Sequence, residues 1–322
     1  MTQTLVALRN AVKSSLQQLE AGDVVLVAVS GGADSLALAY AVLTEAKPLA
    51  ITAIGITIDH QLQKNSSQQA EHVVQQLKEL GYGKVLNQKV VVTTESGLEA
   101  GARSARYKAL TESAHKEQAV KIYLGHTLDD QAETVLLGLA RGSGARSLSA
   151  MSHENGIYLR PFLGITRAMT EQACADLNID YWNDPHNSNL DFSRVKVRNE
   201  ILPLMEEKLG PGISAALART AQLLRDDADA LDQIAALEIS ASNLASLDCE
   251  RLSALPRAIR SRVIRAAIYA CGAPEGSLSA DHIAAAEALV TAWSGQGALS
   301  LPGGVKVERI SGRLSLSATA AN

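Results

Sequence analysis

Four polar side chains within eight residues, His126, Asp129, Asp130 and Glu133, form the densest group in this sequence that can do chemistry. With a helix beginning near Asp129, Asp130 and Glu133 stand three residues apart on one face close to its start. Negative side chains are at home at a helix N-terminus, so simple capping is one reading. Paired carboxylates there can also hold Mg2+, or bind a cationic substrate and take a proton from it. The density of the group favours chemistry. A second set lies upstream, Ser30-Gly31-Gly32-Ala33-Asp34-Ser35. Its glycines, lacking Cβ, let the backbone bend sharply and approach a ligand. The open amides and the dipole at the start of a following helix attract phosphate. This is not a Walker A loop, which needs a Lys-Ser/Thr pair after its last glycine. Asp34 beside a phosphate makes sense with a divalent cation between them.

These groups need elements to position them. Strand candidates Val24–Val29, Ile51–Ile58, Lys84–Val92 and Val120–Leu124 alternate with helical patterns over Asp34–Ala46, Ser66–Leu80 and Gly97–Gln118. Val- and Ile-rich strands separated by helices predict an α/β fold, a doubly wound, mostly parallel sheet covered on both faces. Ligands of such sheets bind at the carboxyl ends of the strands. The candidate site residues follow those ends: Ser30–Ser35, Asp59-His60, and Gly125-His126 onward. Leu5, Leu8, Val12, Leu16 and Leu19 recur at helical spacing and predict an amphipathic first helix. Arg103 and Arg106 share a helix face; Arg103 reads as solvated, whereas Arg106, followed by Tyr107 and Lys108, makes a denser cationic patch suited to phosphate.

A length of 322 residues suggests two domains, and 47% apolar with 20% charged residues is ordinary for a globular protein. No apolar run reaches membrane-spanning length, and residues 1–20 lack the layout of a secretion signal. Three cysteines far apart, with no CxxC, argue against a disulfide framework, a zinc site or a persulfide relay, and fit a reducing cytoplasm. A net charge of −4 leaves RNA binding to a local basic patch.

Gly210-Pro211-Gly212 is the clearest breaker and places a domain boundary near 212, giving domains 1–212 and 213–322. The smaller second domain reads as mainly helical and ends in a β-hairpin, from the alternation Val305–Ile310, Ser311-Gly312, Arg313–Leu316. Its long first helix carries an acidic face of Asp226, Asp227, Asp229 and Asp232. Arg251, Arg257, Arg260, Arg262 and Arg265 follow, with no acid from Leu252 through Pro274; they suit RNA phosphate, the plainer reading being that some pair with the acidic face. Tyr158, Phe162, Tyr181, Trp182 and Phe192 fall between the two polar stretches, and one of them is a candidate to stack an unpaired RNA base, core packing being the commoner use of aromatics.

SGGADS resembles the SGGxDS signature of the PP-loop ATP pyrophosphatases, whose fold is Rossmann-like. LGHTLDDQAET, with Arg141-Gly142-Ser143-Gly144, resembles the HHxDDQxET and RGxG block of the bacterial tRNA(Ile)-lysidine synthetases. The likeness continues through Glu99–Tyr107, Arg160-Pro161, Asp184-Pro185-His186-Asn187 and Arg194–Pro203, so it covers roughly residues 20 to 205. The resemblance implies a ligase that uses ATP and Mg2+ to adenylate the C2 oxygen of the wobble cytidine in tRNA(Ile) with a CAU anticodon. Free L-lysine then displaces AMP to leave lysidine.

It further implies ATP contacts from Ala28, Ser30, Gly31, Gly32, Ala33, Asp34, Ser35 and Asp59, and magnesium at Asp34 and Asp130. Lysine would be bound by Asp130 and Glu133, with His126 serving the phosphate or proton transfer, and Arg106 and Arg198 stabilising the phosphate or the adenylated base. Arg194 and Lys196 within the Arg194–Pro203 stretch, and Arg257, Arg260 and Arg265 from the arginine run, are the tRNA-contact candidates. Oligomeric state stays open, a homodimer being one option. Departures from the family pattern are Gln61 and Gln63 in place of a glycine and a basic residue, Thr127 in place of a second histidine, and Val195 in place of asparagine. Competing readings are a PP-loop tRNA thiolase, which would want cysteines; a GMP- or NAD-synthetase-like amidating enzyme; and a non-catalytic adenine-nucleotide-binding regulator, which leaves the acidic cluster without purpose.

Overall fold

A computed structural model describes residues 2–61, 65–92, 97–142, 144–183 and 190–318, with the backbone alone for Leu98 and Glu99. Leu62 and Gln63, Ser143, and Asp184-Pro185-His186-Asn187 lie outside the described residues. The chain divides between Leu223 and Leu224 into two compact units.

The first unit is built on a six-stranded sheet. Its strands are β1 (Val24–Ala28), β2 (Thr52–Asp59), β3 (Val85–Lys89), β4 (Ala119–Leu124), β5 (Glu154–Asn155) and β6 (Tyr158–Leu159), in the spatial order β3-β2-β1-β4-β6-β5. All pairings are parallel except β5 with β6. Val25, Leu26 and Val27 of β1 are wholly buried, as a central strand covered on both faces requires. Helices α1 (Gln3–Leu16), α2 (Ala33–Ala46), α3 (Ser66–Leu80), α4 (Leu98–Glu117), α5 (Leu128–Ala140), α6 (Ala145–Leu148) and α7 (Arg167–Asp176) connect or flank these strands. One core joins α1, α2 and α7 to Val25 and Val27; the opposite one joins Leu110 and Ala114 of α4 to Leu26, Ile56 and Ile122. Each fully buried leucine in these cores contributes roughly 1.5–3 kcal/mol. The four expected strands and three expected helices are all present, within a few residues of their anticipated ends. The chain runs from β1 through β2 to β3 at one edge and then crosses back to place β4 beside β1, so the order reverses at β1, where an open α/β sheet forms its binding crevice.

Beyond α7, α8 (Ser193–Lys196), a wider turn over Val197–Ile201 and α9 (Leu202–Leu209) run on from one another, and α10 (Ile213–Ser240) contains the division between the units. The second unit adds β7 (Ser246–Asp248), α11 (Cys249–Ala254), α12 (Arg257–Ala270), α13 (Ala280–Thr291), β8 (Leu299–Leu301), β9 (Val305–Ile310) and β10 (Arg313–Ala318). The expected hairpin is β9–β10, and it forms the centre of a four-stranded antiparallel sheet ordered β7-β10-β9-β8. Val305, Val307, Leu314 and Leu316 alternate onto its buried face against Ile264 and Ile268 of α12 and Ile283 and Leu289 of α13.

Candidate functional site

The loop from β1 to α2 is shaped by its own side chains. Gly31 sits at φ +90, and a Cβ there would come 2.8 Å from Val73 Cγ2, so only glycine fits. Its carbonyl accepts the Trp182 N–H at 2.9 Å. The Ser35 hydroxyl accepts from the Ser30 N–H at 3.1 Å and donates to the Gly32 carbonyl at 2.9 Å, closing the bend. Gly32 is the N-cap and no side chain caps α2, which leaves its first turn open to an anion.

A cavity opens at the carboxyl ends of β1 and β2. Ala28, Ser30 and Asp59 line it, joined by Gln69 of α3, Arg106 of α4 and Trp182. Gly31, Gly32, Ala33 and Ser35 continue from Ser30 as the adjoining loop. Asp59 is buried; its Oδ2 accepts from Ser67 Oγ at 2.7 Å and its Oδ1 from the Gln61 N–H at 2.9 Å. Burial would raise its carboxyl, but the hydrogen bonds from Ser67, Ser66 and Gln61 outweigh that and hold it below the usual range. The same N–H bond steadies Gln61 at φ 55, the left-handed conformation for which a glycine is the usual choice.

The second polar stretch meets the first through Gly125, at the end of β4. A Cβ on Gly125 would lie 3.1 Å from both the Asp34 carbonyl oxygen and Ser35 Cα, so its absence brings the two loops into contact. Thr127 and Asp130 then form a capping box on α5, with Asp130 Oδ2 accepting from the Thr127 N–H at 2.8 Å. Asp130 therefore serves both readings: Oδ2 caps the helix, and Oδ1 faces the site. Thr127, where a second histidine was the family pattern, is fully buried in this cap.

Three arginines surround the carboxylates. Arg198 forks onto Glu133, with Nε 2.7 Å from Oε1 and Nη2 3.1 Å from Oε2, and reaches Asp130 Oδ1 at 3.4 Å. Arg194 Nε lies 3.4 Å from Glu133 Oε2, and its Nη2 donates to Thr134 Oγ1 at 2.9 Å. Arg167 reaches all three acids: Nε to Asp34 Oδ2 at 3.5 Å, Nη2 to Asp130 Oδ1 at 3.2 Å, and Nη1 to Glu133 Oε1 at 3.5 Å. Thr170, one turn along α7, donates to Asp34 Oδ1. The Glu133 side chain has no exposed surface. Burial raises the Asp34 carboxyl to about 6, against the pull of Arg167 and Thr170 and with the help of the Asp130 charge. The Asp130 carboxyl is lowered, since Arg167, the Thr127 N–H and Arg198 overcome its burial.

The turn that presents Arg198 is wide because Leu202 N–H bonds to Val197 O, five residues back. Pro203 follows and has no N–H to offer a regular helical bond, which favours this local slip. Lys196 is exposed, and Val195 is buried.

A second cationic group stands near His126: Arg103 lies over the Tyr107 ring at 5.0 Å, and Arg160 Nη2 reaches the Tyr107 hydroxyl at 3.4 Å. Half-buried Arg106 joins them, its guanidinium depressed first by burial and then by Arg103 and Arg160. Burial, reinforced by these arginines against the pull of Asp130, drops the His126 imidazole to about 3, so it is neutral near pH 7. His126 Nδ1, His60 Nδ1 and Gln69 Nε2 are buried without a hydrogen-bond partner.

In the second unit, Arg260 and Arg257 share Glu287 at 3.2 and 3.3 Å, Arg262 pairs with Asp232 of the acidic face at 2.5 Å, and Arg265 is exposed. The Arg257 side chain keeps 78% of its exposure, against 12% for Arg260. Among the aromatics, Phe162 is buried in the core, which rules it out as an RNA-stacking surface, and Trp182 lines the cavity of the first unit.

Arg167, Thr170, Gln69 and the cavity position of Trp182 were not singled out in the sequence. Arg167 did carry one signal. A cation in the first turn of a helix opposes the helix dipole, so it needs an outside partner.

A family model described as a PP-loop domain matches residues 5–205, and one described as a TilS substrate binding domain matches residues 247–315. A tRNA(Ile)-lysidine synthase of Thermobifida fusca is 50% identical over 96% of this chain and 96% of that protein. One of Streptomyces coelicolor is 50% identical over 92% of this chain and 86% of its own length. Among solved structures, the U34-tRNA thiolase NcsA from Methanococcus maripaludis, with its [4Fe-4S] cluster, has a TM-score of 0.57 at 19% identity over 69% of this chain and 80% of that one, a likeness of fold.

Proposed function

The chain belongs to the tRNA(Ile)-lysidine synthase family, and from that premise we propose how its residues divide the reaction. The protein is a ligase that forms lysidine on tRNA(Ile), using ATP through its PP-loop domain. The single observation that carries the division of labour is the contact of the phosphate-type loop with the Asp34, Asp130 and Glu133 cluster across Gly125.

In the first step the nucleotide occupies the cavity bounded by Ala28, Ser30, Asp59, Gln69 and Trp182, with its phosphates against the Ser30–Ser35 loop and the open start of α2. The C2 oxygen of the wobble cytidine attacks the α-phosphorus, and pyrophosphate leaves. Arg106 is placed to meet the phosphate charge. Asp34 and Asp130 suit Mg2+ in donor chemistry, being hard oxygen donors that flank one guanidinium and repel each other. Among the described residues no three His, Cys, Asp or Glu side chains gather as a complete metal cage, so substrate phosphates and water would supply the other oxygens. When bound, the ion would neutralise pyrophosphate charge.

In the second step the lysine ε-nitrogen attacks C2, the bond from C2 to the adenylate oxygen breaks, and AMP departs. Free lysine is an ammonium near pH 7, its pKa being about 10.4. Asp130 and Glu133 bind that cation and receive its proton. His126, neutral and with an open ring nitrogen, is suited to a hydrogen bond with the adenylate. Sulfur transfer finds no accessible thiol here: Cys174 lies behind the loop, its Sγ 3.6 Å from the Ala33 carbonyl, but is fully buried with its thiol pushed up to about 12, and Cys249 and Cys271 belong to the second unit. A tRNA substrate and three unpaired cysteines suit a cytoplasmic enzyme. Among the described residues no helix is long and apolar enough to cross a membrane.

The test is to incubate the protein with ATP, Mg2+, labelled lysine and unmodified tRNA(Ile). Label should enter the RNA with release of AMP; label that stays free while ATP is consumed would overturn the reading.

A further inference from the structure

We propose that Arg167 is a positioning residue that keeps the lysine subsite shut until phosphate charge enters the site; the inference rests on the reading of Asp130 and Glu133 as the lysine carboxylates. Each of its three guanidinium nitrogens faces a different acid, at 3.5 Å for Asp34, 3.2 Å for Asp130 and 3.5 Å for Glu133. The other acid oxygens are engaged as well. Asp130 Oδ2 holds the Thr127 N–H at 2.8 Å, and Glu133 Oε2 holds Arg198 Nη2 at 3.1 Å. An incoming ammonium must therefore displace a guanidinium.

Distance decides which one yields. Arg198 forks onto Glu133 at 2.7 and 3.1 Å, and Arg194, though 3.4 Å from Glu133, is tied by its Nη2 to Thr134 Oγ1 at 2.9 Å. Every Arg167 side-chain contact to an acid, by contrast, is 3.2 Å or longer, beyond the usual charge-assisted range of about 2.7–2.9 Å. Arg167 also gains nothing from its own helix, whose positive end it occupies. Its backbone, by contrast, is fixed: the Arg167 N–H donates to Asp129 Oδ2 at 2.7 Å. The anchor stays, so giving up the three acids needs only a turn of the side chain.

Competition for the guanidinium supplies the trigger. With Asp129 on the Arg167 N–H, four carboxylates gather around the three guanidinium groups, and a guanidinium that gives up its acids to an incoming ammonium needs another anion to turn to. Phosphate is that anion, and guanidinium is its natural partner. Arg167 already touches Asp34 in the phosphate-type loop, so phosphates there compete for it directly. Lysine then binds after the nucleotide, and the empty enzyme is protected from idle occupancy by free amines.

The experiment is equilibrium dialysis of labelled L-lysine against the full chain, with and without a non-hydrolysable ATP analogue and Mg2+, for the native protein, R167A, R167K and E133Q. The native protein should bind lysine about tenfold more tightly with the analogue than without it, and by linkage lysine should tighten the analogue equally. R167A should bind lysine as tightly without the analogue as with it, and R167K, which restores a cation, should recover part of the difference. A structural role alone would weaken lysine binding in both conditions, and R167A with the native nucleotide dependence would overturn the proposal. E133Q separates the two readings. Undiminished lysine binding by E133Q would overturn the subsite assignment and the inference with it, while loss in E133Q beside native behaviour in R167A would overturn the inference alone.

Discussion

The crevice beside β1 has two halves that treat polar groups in opposite ways. On the nucleotide side, Gln69 Nε2, His60 Nδ1 and His126 Nδ1 are buried with no partner, and Arg103, Arg106 and Arg160 are not ion-paired among the described residues. On the amine side, each of three carboxylates is met by at least one guanidinium. Buried polar atoms without partners are costly, so the first half is organised for something that arrives to satisfy it. In the second half every carboxylate is already met, Arg194 Nε alone being buried without a hydrogen bond among the described residues, so a cationic ligand binds there by exchange. Affinity in the first half is set by complementarity, and in the second by which native contact is weakest.

The largest test of this contrast is Glu133→Ala. Removing a fully buried acid from under its arginines should cost about 3 kcal/mol, the low end for a broken buried pair because those arginines keep some solvent, as read by urea unfolding. Glu133→Gln should damage lysine incorporation more than tRNA-dependent ATP–pyrophosphate exchange; equal loss in both would mean the halves do not divide the work. Gly125→Ala comes next. A methyl 3.1 Å from the Asp34 carbonyl oxygen should push the loops apart, cost about 1–3 kcal/mol, and lower both activities together.

Trp182→Leu sharpens the contrast from the nucleotide side. It should weaken ATP binding by roughly 1 kcal/mol while leaving tRNA affinity unchanged, because Trp182 lines the cavity. A loss confined to tRNA affinity would restore the base-stacking role. In the second unit, Arg265→Ala should reduce tRNA affinity and lower the salt slope by about 1, whereas Arg260→Ala should act chiefly on stability, since Arg260 is held by Glu287 and the Leu255 carbonyl. The smallest effect belongs to Gln61→Gly, which exchanges left-handed strain for chain entropy and should change stability by less than about 1 kcal/mol in thermal melting.

Much of this could be read along the chain because the signals are local. Val24–Ala28 announces itself as a buried strand through a continuous apolar run, Thr52–Asp59 through its Ile-rich pattern, and the glycine at 31 marks a close approach, whereas the one at 125 shows its role only in the packed structure. The two-residue strands Glu154–Asn155 and Tyr158–Leu159 are too short to carry a period. Arg167 escaped notice for a different reason: its three acids come from α2 and α5, and nothing near it in sequence names them. The pairing of Arg260 with Glu287, across α12 and α13, is hidden in the same way. What acids or arginines sit opposite a charged residue is decided by tertiary packing, which periodicity does not encode.

The wide turn ahead of Pro203 carries one last consequence. A helix advances about 100° per residue, so the single-step slip in its bonding fixes the rotational phase at which Arg194 and Arg198 meet Glu133. Exchanging one side chain for another in Val197–Ile201 alters a contact, but deleting one residue would swing Arg194 a quarter-turn or more away from its acid. In this segment, Arg198 apart, the count of residues is held more strictly than their identity.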